Sequence, residues 1–147
     1  MSFDISVVLE EWKVDSTMTE TKVVEELLRT PNLHAKYLQY FLYCKAKMSN
    51  ADANFNRLKG VKRRYYKGEM TLQELQQRGW DQYQGLKMSM SEFNNMVEMD
   101  DDLISLQEKV DYWKSNIQIL EYIMRQIQSR DFQLKAIVDY KKFIEGN

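Results

Sequence analysis

Residues 103–127 read LISLQEKVDYWKSNIQILEYIMRQI. Within them Leu103, Leu106, Val110, Trp113, Ile117, Leu120, Met124 and Ile127 recur in alternating steps of three and four. At 3.6 residues per turn such positions stack on one side of an α-helix, and the seven-residue repeat is that of a seam packing into another helix. A strand, with its period of two, cannot keep them on one face. The stretch predicts one long helix over about 103–128. Periodicity alone leaves open whether the seam's partner lies in the same chain or in another.

The same reading extends outward. The acidic run from Glu98 to Asp102 fits the start of that helix, where negative charge complements the helix dipole. Ser129-Arg130-Asp131 interrupts the pattern, and an amphipathic helix is expected over 132–144. Upstream, a helix is expected over 5–13. A second follows Thr17, whose spacing to Glu20 fits a capping box, and ends near Arg29. Thr30-Pro31 then reads as the N-cap and first residue of a third helix. That third helix carries Leu33, Tyr37, Tyr40, Cys44, Met48, Ala51, Phe55 and Leu58 on one stripe, with a weak point at Ser49-Asn50 and a stop at Lys67-Gly68. A short helix is expected from Thr71 to Gly79, irregular chain over 80–90, and another short helix from Ser91. Five glycines and a single proline, Pro31, disfavour a turn-rich β architecture. The expected fold is all-α, an elongated helical bundle forming one domain over 1–147, with N-terminal helices over 1–67 and C-terminal helices over 91–147.

Charge is segregated along this chain. Residues 34–67 hold nine Lys or Arg and one acid, Asp52, whereas the whole chain has a net charge of −1. The densest part, 57–67, has six cations and two tyrosines. A positive track beside aromatic rings is what single-stranded nucleic acid requires, since each phosphate needs a counter-charge and any base can stack. On a helix Lys59, Lys62, Arg63 and Tyr66 share one face, with Arg57, Arg64 and Lys67 flanking it. Tyr65 falls with Leu58 and Val61 on the apolar side. These seven residues other than Tyr65 are the candidate DNA-binding set, Tyr66 being the stacking ring. The competing reading is a salt-bridged face, with the Glu98 to Asp102 run as an internal partner or a neighbouring subunit supplying the acids.

Enzyme chemistry has little support. The lone His34 and lone Cys44 exclude a cysteine-based zinc site and an intramolecular disulfide. The glycines are scattered, so no phosphate loop is present. Consecutive Asp100, Asp101 and Asp102 diverge on a helix and make no acid–base pair by themselves. No cofactor or metal is expected. No apolar run approaches membrane-spanning length, so no membrane association and a cytoplasmic location are expected. Nine Met and fifteen Tyr plus Phe suggest subunit contacts.

Two segments together resemble the UvsY family of recombination mediators from T-even-type phages. The first is Leu33-His34-Ala35-Lys36-Tyr37-Leu38, followed by the basic stretch closing in Tyr65-Tyr66. The second is Tyr112-Trp113, then Ser129-Arg130-x-Phe132-x-x-Lys135-x-Ile137 and Phe143-x-x-Gly146. The resemblance spans the chain except roughly 69–100. It implies an all-helical, non-enzymatic protein that forms a homo-oligomeric ring of six or seven subunits through its C-terminal helices. It also implies binding of single-stranded DNA, contact with the phage single-strand-binding protein, and loading of a RecA-like recombinase in the infected bacterial cytoplasm. Lys62 matches a basic DNA-contacting position of the family. Gly60 stands where a lysine is expected, with Lys59 beside it. The expected subunit contacts are the eight heptad residues from Leu103 to Ile127 with Phe132, Ile137 and Phe143. The alternative is a structural helical assembly protein whose charged patches bind proteins rather than DNA.

Overall fold

A computed structural model describes residues 2–146; Met1 and Asn147, the outer ends of the expected 1–147 domain, lie outside the described residues. The elements are α1 (Ile5–Asp15), a 3-10 turn (Glu20–Lys22), α2 (Val23–Tyr66), α3 (Leu72–Arg78), α4 (Met90–Val97), α5 (Asp101–Gln128) and α6 (Arg130–Ile144), with no strand among the described residues. The all-α expectation holds.

Local chemistry accounts for most boundaries. The Asp4 carboxylate accepts from the Ser6 N–H at 2.9 Å and starts α1. Thr71 and Ser89 cap α3 and α4 by accepting from the N–H groups of Glu74 and Glu92, each at 3.2 Å. Asp100 caps α5, its Oδ1 accepting from the Leu103 N–H at 3.0 Å. At the end of α2, Gly68 adopts φ 70°, and the N–H of Glu69 reaches back to the Arg64 carbonyl at 3.0 Å. This is the left-handed stop that glycine allows at little cost. Gly79 ends α3 in the same way.

Two expectations at the N-terminal end are corrected. Thr17 does not open a helix; its hydroxyl donates to the Lys13 carbonyl at 3.2 Å and serves the end of α1. Pro31 does not begin a helix either, because α2 runs through it as one 44-residue helix, also unbroken at Ser49-Asn50. Proline removes one N–H from the ladder, but Pro31 lies on the exposed side, where water can serve the carbonyl left open. The Thr30 hydroxyl adds a bond to the Glu26 carbonyl at 3.1 Å in that turn.

The chain forms two compact units, one from the described parts of 1–45 and 114–147, the other from 46–113. The first buries Val8, Val23, Leu33, Tyr37, Cys44, Ile117, Leu120, Ile123, Ile127 and Leu134. Polar groups are organised around this core. Tyr37 and Lys36 donate to the Asp15 carboxylate at 2.9 and 2.7 Å. Arg130, 2% exposed, holds Glu26 at 2.6 Å. Burial of Asp15 alone would raise its pKa, but its hydrogen bonds to Lys36 and Tyr37 hold it below the ordinary carboxylate range. Burial pushes the Cys44 thiol up to about 11, so it behaves as a small hydrophobe.

The heptad forecast is right about the helix, and most of the seam, which the resemblance offered as a subunit contact, is covered within this chain. Leu103, Val110, Ile117, Leu120 and Ile127 are buried in this chain's own cores, and Leu106, Trp113 and Met124 are half-buried. Residues already closed within the chain cannot also be a subunit seam in this conformation. On α6, Ile137 is half-buried, whereas Phe132 and Phe143 are 80% and 82% exposed.

Candidate nucleic-acid interface

The second unit contains the last turns of α2, where the cations are densest. The Lys62 Nζ lies 3.1 Å from Asp100 Oδ2 and 2.9 Å from Asp102 Oδ2, with Lys62 and Asp100 both 8% exposed. It also sits 4.7 Å from the centre of the Trp80 ring. Burial alone lowers an ammonium pKa, but hydrogen bonds to Asp102 and Asp100 raise that of Lys62 above its ordinary value. A solvent-facing Lys62 is therefore corrected to a buried, doubly paired one. The cause is the acidic start of α5, whose Asp100 both caps the helix and takes the charge.

Arg64 is also engaged. Its Nη1 and Nη2 meet Glu74 Oε2 and Oε1 at 2.7 and 2.9 Å, a two-pronged pairing with α3. These bonds raise the Arg64 pKa and lower that of Glu74. Arg63 lies with its guanidinium carbon 5.4 Å from the Phe93 ring centre, its Nε buried without a hydrogen-bond partner. Tyr66 is not free to stack on a base. Its ring makes edge contacts with Tyr65 and Tyr83, each at 5.1 Å, and lies 6.4 Å from Phe93. Burial and the neighbouring Asp100 raise its pKa. Tyr65 belongs to the same cluster and donates to the Asp81 carbonyl at 2.7 Å.

Four of the seven candidates, Arg57, Lys59, Arg63 and Lys67, have no carboxylate partner among the described residues, and Arg63 is packed against Phe93. Arg57 is exposed and only donates to Asn54 Oδ1 at 3.2 Å. Lys59 and Lys67 are half-buried with no ion pair. Lys59 and Arg63 fall at i and i+4 on one side of α2, and Lys67 follows just past its end. Long cationic stems pack along the helix while the charged ends stay wet. The carboxylates that sort the set, Glu74, Asp100 and Asp102, lie outside the candidate set. The Glu98 to Asp102 run is the visible signal in the sequence for two of them.

The description "Recombination, repair and ssDNA binding protein UvsY" belongs to the family model that matches residues 11–147. Crystal structures of the bacteriophage T4 recombination mediator protein UvsY are similar to this chain. In lattice type II the TM-score is 0.84 at 22% identity, covering 98% of this chain and 99% of that one. In lattice type IV it is 0.82 at 21%, covering 96% and 99%. In lattice type I it is 0.80 at 23%, covering 92% and 96%. At these identities the likeness is one of fold. None of the curated protein sequences matches the chain.

Proposed function

The chain belongs to the UvsY family, whose members are recombination, repair and single-stranded-DNA-binding proteins, and from that premise we propose that it is a non-enzymatic recombination mediator that holds single-stranded DNA on the free cations of α2. Arg57, Lys59 and Lys67 take the phosphates, Lys59 on the side of α2 that carries Arg63 and Arg57 on the side that carries Arg64. Lys62 and Tyr66 build the platform that fixes the end of α2. The observation that carries this reading is the sorting of the basic stretch: carboxylates claim Lys62 and Arg64, Arg63 packs on Phe93, and Arg57, Lys59 and Lys67 are left unclaimed.

One patch of three cations binds weakly. Repeated around a ring of subunits, it holds one strand tightly through effective concentration. Phe132 and Phe143, exposed on α6, are the residues offered for the ring contact. A strand wrapped on such a ring is bent away from its single-strand-binding protein and presented to a RecA-like recombinase, which does any nucleotide chemistry. No described helix is long and apolar enough to cross a membrane, in keeping with work in the cytoplasm of an infected bacterium.

A titration of a labelled oligonucleotide by fluorescence anisotropy across salt concentrations tests this. Each neutralised phosphate contributes about 0.7 to the log–log slope for a single strand, so three contacts per subunit give roughly 2. An affinity indifferent to salt removes phosphate contacts as the main term. A structural assembly protein is the second reading, favoured by the internal satisfaction of Lys62 and Arg64; it gives no oligonucleotide binding at low salt.

A further inference from the structure

On another part of the second unit, α5 and the end of α4 meet α2 at an open groove of about 350 Å³. Its floor is apolar: Phe55, Val97, Leu103 and Ile104. Its polar walls are Glu98, Gln107, Glu108 and Asp111, and no cation lines it. On α5, Ile104, Glu108 and Asp111 lie three or four residues apart and so share one face, while Lys109 points away from it. On the α2 wall, Asp52 lies one turn before Phe55 and Lys59 one turn after it. An apolar trough rimmed by carboxylates repels a phosphate backbone. It suits an apolar side chain whose sequence neighbours are Lys or Arg, because the trough buries the anchor and the rim pairs the cations.

We propose that this groove is a docking site for a basic, apolar-anchored helical segment of a partner protein, lined by residues other than the cations assigned to DNA. Charge complementarity selects the occupant: a DNA strand or an acidic peptide would meet the like charge of Glu98, Glu108 and Asp111 along the rim. The proposal does not depend on the DNA-binding reading, since it uses none of Arg57, Lys59 or Lys67.

The probe is a fluorescein-labelled 18-residue Leu/Lys peptide with one apolar and one basic helical face, titrated with the full chain by anisotropy. Controls are a Ser/Lys peptide of equal charge and a Leu/Glu peptide. Glu98, Glu108 and Asp111 are all exposed, so reversal to Lys leaves the core untouched. The triple variant Glu98→Lys/Glu108→Lys/Asp111→Lys is expected to bind the Leu/Lys peptide at least about tenfold more weakly. Reversal of Glu10 and Glu25, exposed acids of the other unit, is expected to change nothing, and Ile104→Ser to weaken binding severalfold through loss of the anchor. Equal binding by the rim-reversed chain, or equal binding of the Ser/Lys peptide, overturns the proposal. If the rim reversal instead reduces sedimenting mass, the groove holds a second copy of this chain and the partner assignment falls. Oligonucleotide affinity measured in parallel keeps the two surfaces distinguishable.

Discussion

Replacing Lys62 by Met separates a structural role from a DNA-binding one. Methionine keeps an unbranched stem against Trp80 and removes the ammonium that Asp100 and Asp102 share. Asp102 has a side chain 60% exposed and returns to water at little cost, whereas the Asp100 side chain is 6% exposed and cannot. Removing one partner of a buried pair costs about 3–5 kcal/mol. Asp100 retains the Leu103 N–H at 3.0 Å and the start of a helix, which offsets about 0.3–1 kcal/mol. The net loss is about 2–4.7 kcal/mol. With a urea slope of about 2 kcal/mol/M, the midpoint falls by roughly 1–2.4 M at unchanged slope. Adding Asp100→Asn to Lys62→Met recovers much of that loss, because no uncompensated charge remains. The gap between wild type and Lys62→Met also has a pH signature. The raised pKa of Lys62 means its contribution is whole below the ordinary value of 10.5 and disappears as pH rises through the higher folded value. In low urea, where Lys62→Met is folded, its oligonucleotide affinity stays within about threefold of wild type, a shift of under about 0.7 kcal/mol. A variant with a wild-type midpoint and a tenfold weaker grip on DNA would refute the reasoning.

Leu120→Ala, at a fully buried position, costs about 3 kcal/mol through lost transfer energy and a cavity; an unchanged urea midpoint would place Leu120 outside the core. Asp15, held below its ordinary 3.8, supports the fold above that pH and loses its contribution as pH falls through its lower folded value. Asp15→Asn is therefore less stable at neutral pH and shows a smaller further loss between pH 4 and 2, read from urea midpoints. Gly68→Ala forces an L side chain to φ 70° and costs about 1 kcal/mol at the end of α2, measured the same way. Phe132→Ser/Phe143→Ser leaves stability within about 0.5 kcal/mol, as both rings are exposed, but lowers sedimenting mass if these rings join subunits.

The elements most legible in the sequence were those set by near neighbours. The heptad of α5, the Thr71 cap and the stops at Gly68 and Gly79 depend on residues within a turn or two, and each is found where expected. Pro31 misled because a proline's cost depends on whether its side of the helix meets water, which spacing does not reveal. Thr17 misled because one hydroxyl can serve the helix behind it as readily as the one ahead. The candidate site was legible as composition and not as geometry. Lys62 meets its acids 38 and 40 residues away, and Arg130 meets Glu26 at a separation of 104. Helical periodicity groups Lys62 with Arg63, but the two side chains meet different partners, and which cations a carboxylate claims is decided by tertiary packing. The heptad had the same ambiguity: an apolar seam looks alike whether its own chain or another covers it.

The direct test of the sorted cation set is oligonucleotide affinity for Arg57→Gln/Lys59→Gln/Lys67→Gln at two salt concentrations. The account predicts an unchanged urea midpoint, a large loss of affinity at low salt, and a salt slope lower by roughly 2. Wild-type affinity and slope in the folded triple variant would contradict it.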